Sequence, residues 1–320
     1  MHSVGRVDWS FSEAPGPASG TASGLARNVL VSPLTGAAHT ELAAGALAPG
    51  GWLARHVHSF EEALYVLDGT LLLESDGRVH RLVPGDFALN PIGRPHTLAA
   101  TPTQGVRWLS VNTPPRRTGD PTVPDTIFTT VPPDVAALAA AAEVLGGTDP
   151  TRRYVGHYAG TPPQAEALAL ADRARGREPA GMDTALLAYS GISVKMLVDR
   201  PFGAEHLTLF TVDYEVGGAA QAHDHPFEEA YVFLAGTVQA ELDGTAYTFG
   251  PGDVAFAGVG SVHGFWNDGP DRVRWLETQA PQPPARNAYR WQAPWAALAD
   301  AGVPPWPGGR SRIDGRRIDV

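Results

Sequence analysis

The stretch "HVHSFEEALYVLDG" runs from His56 to Gly69, and "HDHPFEEAYVFLAG" runs from His223 to Gly236. A polar run of this kind in front of an apolar strand is costly if buried, unless something pairs with the imidazoles and carboxylates. Its repetition makes accident a poor explanation. A shift of 167 residues superposes His56 on His223, His58 on His225, Glu62 on Glu229 and His96 on His263, without a gap. The same shift carries His39 onto His206, Gly85-Asp86 onto Gly252-Asp253, and "VRWL" at 106–109 onto "VRWL" at 273–276. Between Leu53–Gly69 and Ala220–Gly236, 8 of 17 positions are identical, so the chain is read as two copies of one domain.

Within each copy the texture is β. Strand-like runs alternate with Asp-Gly and Pro-Gly punctuation, and "SDGR" and "LDGT" read as tight hairpin turns. Gly and Pro total 36 + 29 = 65 residues, which favours many short strands over long helices. Turns every 8–12 residues point to a sandwich or barrel. The connector differs. "PPDVAALAAAAEVLGG" (132–147) predicts a helix with Pro at its start and Gly-Gly at its end, and "PPQAEALALADRARG" (162–176) predicts a second. The expected organisation is an N-terminal segment (1–26), a barrel (27–114), a partly helical connector (115–190), a second barrel (191–281) and a Pro- and Trp-rich tail (282–320).

Net charge is −10 over 320 residues, which argues against a nucleic-acid surface. No run of about 18 apolar residues suggests a membrane span. The N-terminus lacks the apolar core of a secretory signal, so a cytoplasmic location is expected. There is no cysteine, so a metal would have to sit on nitrogen and oxygen ligands.

In a strand, residues i and i+2 share a face, so His56 and His58 project together, as do His223 and His225. Glu62 and Glu229 can turn into the same space, whereas Glu61 and Glu228 would face outward. His96 and His263 follow Gly-Asp turns. Three imidazoles and a carboxylate suit Mn, Fe, Co, Ni, Cu or Zn, one ion per barrel, and leave positions open as catalytic sites do. Strand parity places Ala54, Leu64, Val66 and Leu98 in the first cavity, and Gln221, Tyr231, Phe233 and Phe265 in the second. The aromatic second pocket is the better substrate site on this reading. Arg107 and Arg274 read as outward-facing, with Trp108 and Trp275 inward.

These residues resemble the cupin superfamily. Its first motif, G(X)5HXH(X)3,4E(X)6G, is met from Gly50 to Gly69 and from Gly217 to Gly236. Its second, G(X)5PXG(X)2H(X)3N, is met by Gly85, Pro91, Gly93 and His96 with Ala100 in place of Asn. The later copy has Gly252, Gly260, His263 and Asn267, with Gly258 in place of Pro. The resemblance implies an all-β protein with minor helices, built as two tandem jelly-roll barrels. It also implies a divalent transition metal (Fe, Mn, Ni, Cu or Zn) on His56, His58, Glu62 and His96, and on His223, His225, Glu229 and His263. Resemblance to quercetinase-like bicupins implies a dioxygenase acting on a small aromatic or enolisable molecule. Glu229 would then take a proton from the substrate and Tyr231 would assist. Two alternatives stand beside it: a non-oxidative isomerase, lyase or hydrolase, and a non-catalytic metal- or ligand-binding protein. Cupins commonly pair through barrel edges, which implies a homodimer.

Overall fold

The computed structural model describes residues 1–10, 20–117, 124–129, 131–145, 154–158, 186–189, 191–283 and 290–291. Up to residue 160 the strands are β1 (His2–Arg6), β2 (Ala22–Val31), β3 (Glu41–His58), β4 (Glu61–Gly69), β5 (Leu71–Ser75) and β6 (Arg78–Leu82). They continue as β7 (Asp86–Asn90), β8 (His96–Ala100), β9 (Val106–Thr113), β10 (Thr126–Phe128), β11 (Glu143–Val144) and β12 (Val155–His157). The later strands are β13 (Leu186–Tyr189), β14 (Ile192–Val198), β15 (Thr208–Tyr214), β16 (Ala219–Asp224), β17 (Glu228–Ala235) and β18 (Val238–Leu242). The series ends with β19 (Thr245–Phe249), β20 (Asp253–Ala257), β21 (His263–Trp266), β22 (Val273–Ala280) and β23 (Arg290–Trp291). One helix, α1 (Val135–Ala141), lies between β10 and β11.

The chain divides into two compact units. One is Val7–Gly160 with Leu197–Leu207; the other is Met1–Arg6 with Thr161–Met196 and Thr208–Val320. In the first, the strands run β11-β6-β5-β8-β3-β9-β4-β7-β12, with β2 and β10 also paired to β3. The long β3 belongs to both layers. Its residues 41–47 pair with β9 and its residues 52–56 pair with β8. The layers separate at Pro49-Gly50-Gly51, where Gly50 takes φ 71°. The second unit has the same two layers: β1-β20-β17-β22-β15-β14-β13 faces β19-β18-β21-β16-β23. Here the crossing strand is interrupted between β15 and β16, and Gly217 takes φ 82° at the matching position. Two jelly-roll barrels in tandem are therefore present, as the repeat predicts.

The expected turns form. Asp76-Gly77 and Asp243-Gly244 both have positive φ (54°, 72° and 48°, 79°), the conformation a two-residue hairpin matched to strand twist requires. Trp108 and Trp275 point inward and are 4% and 1% exposed. Arg107 stacks over Trp9, and Arg274 bonds Asp213.

The connector departs from its reading. Helix α1 starts at an Asp134 cap, whose carboxylate accepts the Ala137 N–H, but it ends at Ala141 rather than at the Gly-Gly of 146–147. Glu143–Val144 then adds a parallel strand to β6. The apolar side of α1 (Val135, Leu138, Ala139) rests on Leu72, Val79 and Ala99, so packing on the sheet sets the helix length. The stretch 154–158 supplies β12, which pairs with β7. The N-terminal residues are likewise strand: β1 closes the second barrel against β20. The helix expected over 162–176 lies outside the described residues.

Gly69 and Gly236 show why the last glycine of the first motif recurs. Their φ values are 77° and 70°, and a Cβ would lie 2.0 Å from the Gly105 oxygen and 2.4 Å from the Arg272 oxygen. The left-handed backbone alone costs about 1–2 kcal/mol for another residue, and main-chain oxygens cannot step aside. Gly69→Ala and Gly236→Ala should each lower the thermal midpoint by several degrees, whereas Gly77→Ala, with open space around its Cβ, should cost less. Differential scanning calorimetry of the three variants checks the ranking.

Candidate metal centres

The six predicted histidines gather into two buried triads, His56–His58–His96 and His223–His225–His263. Within each, one ligand nitrogen per ring lies within 4.8 Å of the others. In both copies the histidines come from one layer and the carboxylate from the facing one. His56 is the cross-strand partner of His96, and His223 of His263. Glu62 on β4 and Glu229 on β17 reach across the core.

What aims the rings is a set of main-chain hydrogen bonds. Nδ1 of His56 bonds Ala54 O (2.8 Å), that of His58 bonds Phe60 O (2.6 Å), and that of His96 bonds Arg94 O (2.9 Å). The second copy repeats this with Gln221 O (2.7 Å), Phe227 O (2.8 Å) and Ser261 O (2.9 Å). A carbonyl only accepts, so Nδ1 carries the hydrogen and the Nε2 lone pair faces the centre. This is the outer-shell arrangement that orients metal-ligating histidines. Nε2 of His58, His96 and His263 is buried without an aligned hydrogen bond. Such orphaned acceptors beside a carboxylate fit a bound cation. The phenylalanines of "HSF" and "HPF" complete the support: Phe60 and Phe227 stack on the second histidine of each pair at 4.0 and 3.9 Å, both at 6°. Each metal-site strand also gains a later partner, β10 beside His56–His58 and β23 beside His223–Asp224.

The carboxylates are held differently. In the first centre, Glu62 Oε2 lies 3.8 Å from His58 Nε2 and 3.4 Å from His96 Nε2, and accepts from Asn90 Nδ2 at 2.9 Å. In the second, Glu229 Oε2 lies 3.0 Å from the Nε2 atoms of both His225 and His263 and accepts from the Tyr231 hydroxyl. Glu229 Oε1 accepts from Gln279 at 2.6 Å. Strand register explains the contrast. Glu41–Asn112–Glu62–Asn90 form a row across β3, β9, β4 and β7. The equivalent row is Thr208–Gln279–Glu229–Ala257. The extra carboxylate of the first row, Glu41, is buried and neutralised by Arg27 (2.6 Å) and Arg116 (2.7 Å).

Burial, followed by the neighbouring His96, lowers the His56 imidazole to about 3; burial and His263 lower His223 to about 4. Burial raises Glu62 and Glu229, but the paired imidazoles outweigh it and hold both well below the usual range. His263 is pushed down by burial and pulled back above its ordinary value by Glu229. Glu277, buried and bonded to the Trp275 indole, is raised by burial and by the Glu229 charge.

Of the other predicted site residues, Tyr231, Phe233 and Phe265 pack with Trp275 and Phe249 in the core of the second barrel. They are 1%, 1% and 3% exposed. Parity misplaces Gln221. A bulge between Ala220 and His223 turns Ala220 toward that core, and Gln221 contributes its carbonyl to His223. The same irregularity between Leu53 and His56 places Leu53, rather than Ala54, against the first core. Leu64, Val66 and Leu98 are in that core as expected. Glu61 points away from the metal side yet is buried, because its oxygens accept the N–H groups of Glu205 (2.6 Å) and His206 (2.9 Å). Asn90, Gln279 and Glu277 were not singled out by the sequence reading. The inward parity of Trp275 extends to 277 and 279 and carries that signal. Among the described residues, no helix is long and apolar enough to cross a membrane.

The cupin domain family matches the chain twice, over residues 45–112 and 210–278. No curated protein matches. Solved structures share the fold at low identity. A Pseudomonas aeruginosa protein described as glyoxylate-induced is 18% identical, with 90% of this chain and 91% of that one covered and a TM-score of 0.59. Oxalate decarboxylase from Lactobacillus farciminis, in complex with formate, is 18% identical over 88% of both chains, TM-score 0.56. Protein YlbA from E. coli is 12% identical, covering 89% and 93%, TM-score 0.57.

The lowered His56 and His223 values have a stability consequence. Between about pH 3 and the unfolded value of 6.5 the unfolded chain binds more protons, so stability is present above 6.5 and lost as pH falls. The lowered carboxylates act in the same direction; His263 opposes them. The urea midpoint of the metal-free protein should fall between pH 7 and pH 4.5; a flat profile would contradict the burial of these rings.

Proposed function

The chain belongs to the cupin superfamily as a bicupin with two candidate metal centres, and we propose that it is a metal-dependent enzyme acting on a small molecule. One observation carries the proposal: all six imidazoles spend Nδ1 on main-chain carbonyls, so two nitrogen-and-oxygen donor sets are pre-aimed before any ligand arrives. His56, His58, His96 and Glu62 would hold one ion, and His223, His225, His263 and Glu229 the other. A divalent transition metal at such a site supplies Lewis acidity and, if redox-active, electron transfer. Four protein donors leave room for substrate, as in catalytic rather than structural sites.

The finer reading is a dioxygenase for an aromatic or enolisable substrate. Tyr231 and Glu229 form a hydrogen-bonded pair able to receive and relay a substrate hydroxyl proton at Glu229 Oε2. The aromatic side chains beside them form the apolar core behind the pair. A second reading, a non-oxidative lyase or isomerase, draws on Glu277. Burial and the Glu229 charge raise this carboxyl, which favours its acid form and would supply the separate acid such chemistry needs.

Elemental mass spectrometry on the wild type, His56→Ala and His223→Ala should give near two ions per chain, and one in each variant. Oxygen-electrode assays of the loaded protein with flavonols, catechols and 1,3-diketones should show uptake with Fe, Mn, Ni or Cu. Turnover of a substrate without oxygen uptake would favour the lyase reading; absence of metal after reconstitution would overturn both.

A further inference from the structure

In the first barrel, a cavity of about 290 Å³ opens between β5, β6, β7 and β12. Leu73, Leu89 and Val155 form the aliphatic part of its wall, and Arg78, His80, Arg94, Ser75, Asn90 and Tyr154 the polar part. Two of these touch the metal centre's own framework. Asn90 donates Nδ2 to Glu62, and Ser75 is the cross-strand partner of His96. The cavity thus ends where the first His–Glu set begins.

Its chemistry is directional. Arg94 is fixed by Ser75 Oγ (2.8 Å), by Asp76 and by the Tyr154 ring, over which its guanidinium lies at 4.2 Å. Arg78 lines the same space, is exposed, and has no side-chain partner among the described residues. Among the described lining residues the carboxylate is Asp76, 66% exposed and paired with Arg94, which leaves Arg78 as the uncompensated cation. At the inner end, Asn90 is fully buried and its Oδ1 has no hydrogen-bond partner. A buried acceptor left open asks for a donor. A ligand matching both ends carries an anionic group at the guanidinium end and a hydroxyl at the amide end.

We propose that this cavity is the substrate pocket of the first metal centre and that it takes a small hydroxy- or enol-carboxylate, its carboxylate on Arg78 and Arg94 and its hydroxyl on Asn90 Oδ1. The assignment rests on the metal-enzyme reading for the identity of the centre, but the anion contacts belong to residues outside the ligand set. It names a substrate class and places it in the first barrel rather than the aromatic second one. The volume is at the lower end for ligand pockets and suits a small molecule.

Calorimetric titration of the metal-loaded protein with tartronate, malonate (no hydroxyl) and tartronamide (no charge) tests it. Tartronate should bind several-fold more tightly than malonate, and tartronamide should not bind measurably. Arg78→Gln, which removes no structural contact, should weaken tartronate about tenfold or more, as loss of a charge-assisted hydrogen bond does. Arg94→Gln should weaken it similarly, with its folding checked by calorimetry because Arg94 also holds Ser75 and Asp76. Equal binding of tartronamide, or tartronate affinity unchanged in Arg78→Gln, would overturn the pocket. Repeating the titration on His56→Ala separates the two readings. Arg78-dependent binding in His56→Ala would show that the anion pocket stands without the metal, and the same binding in a wild type that takes up no metal on reconstitution would keep the pocket while removing the metal enzyme.

Discussion

Six hydrogen bonds between an imidazole Nδ1 and a main-chain carbonyl underlie everything else at these centres. Each carbonyl lies two residues from its histidine, so the bond is local and its geometry follows from the strand itself. It fixes the tautomer, points Nε2 inward and leaves a cluster of lone pairs on buried rings. Such a cluster is unfavourable alone. A cation placed between the Nε2 atoms and Glu62 or Glu229 would relieve it. The parallel Phe60 and Phe227 rings prevent the second histidine of each pair from rotating away.

Around that shared centre the barrels have diverged along one strand row. In the second, Gln279 and Tyr231 hold Glu229 from both oxygens, and aromatic side chains fill the space behind. In the first, the Asn90 amide bonds Glu62 at Oε2, and a cavity of mixed polar and aliphatic lining lies beyond Asn90. A carboxylate held at both oxygens makes a tight ligand. The two centres are therefore built alike for metal and differently for what approaches it.

Much of this was legible in the sequence. The 167-residue shift paired the six histidines and two glutamates of the candidate centres, and the Asp-Gly turns and inward tryptophans followed from local propensity and period-two alternation. Parity failed at Gln221 and Ala54 because a bulge adds one residue to each metal-bearing strand, next to its histidines. A bulge changes no residue type and leaves no periodic trace. Helix 132–147 was overextended for a related reason: Ala-rich sequence favours helix beyond Ala141, but the edge of β6 competed for Glu143–Val144 and won.

The sequence by itself determined the repeat, the barrel class and the six histidines that gather into two triads, because these depend on spacing along a strand and on residue chemistry. Only the tertiary structure decided how each carboxylate is held and which side chains line the cavity of the first barrel. Those properties arise where strands distant in the chain come into register. Asn90 meets Glu62, Gln279 meets Glu229, and Arg94 is braced by Tyr154, because sheet pairing and a connector strand put them side by side.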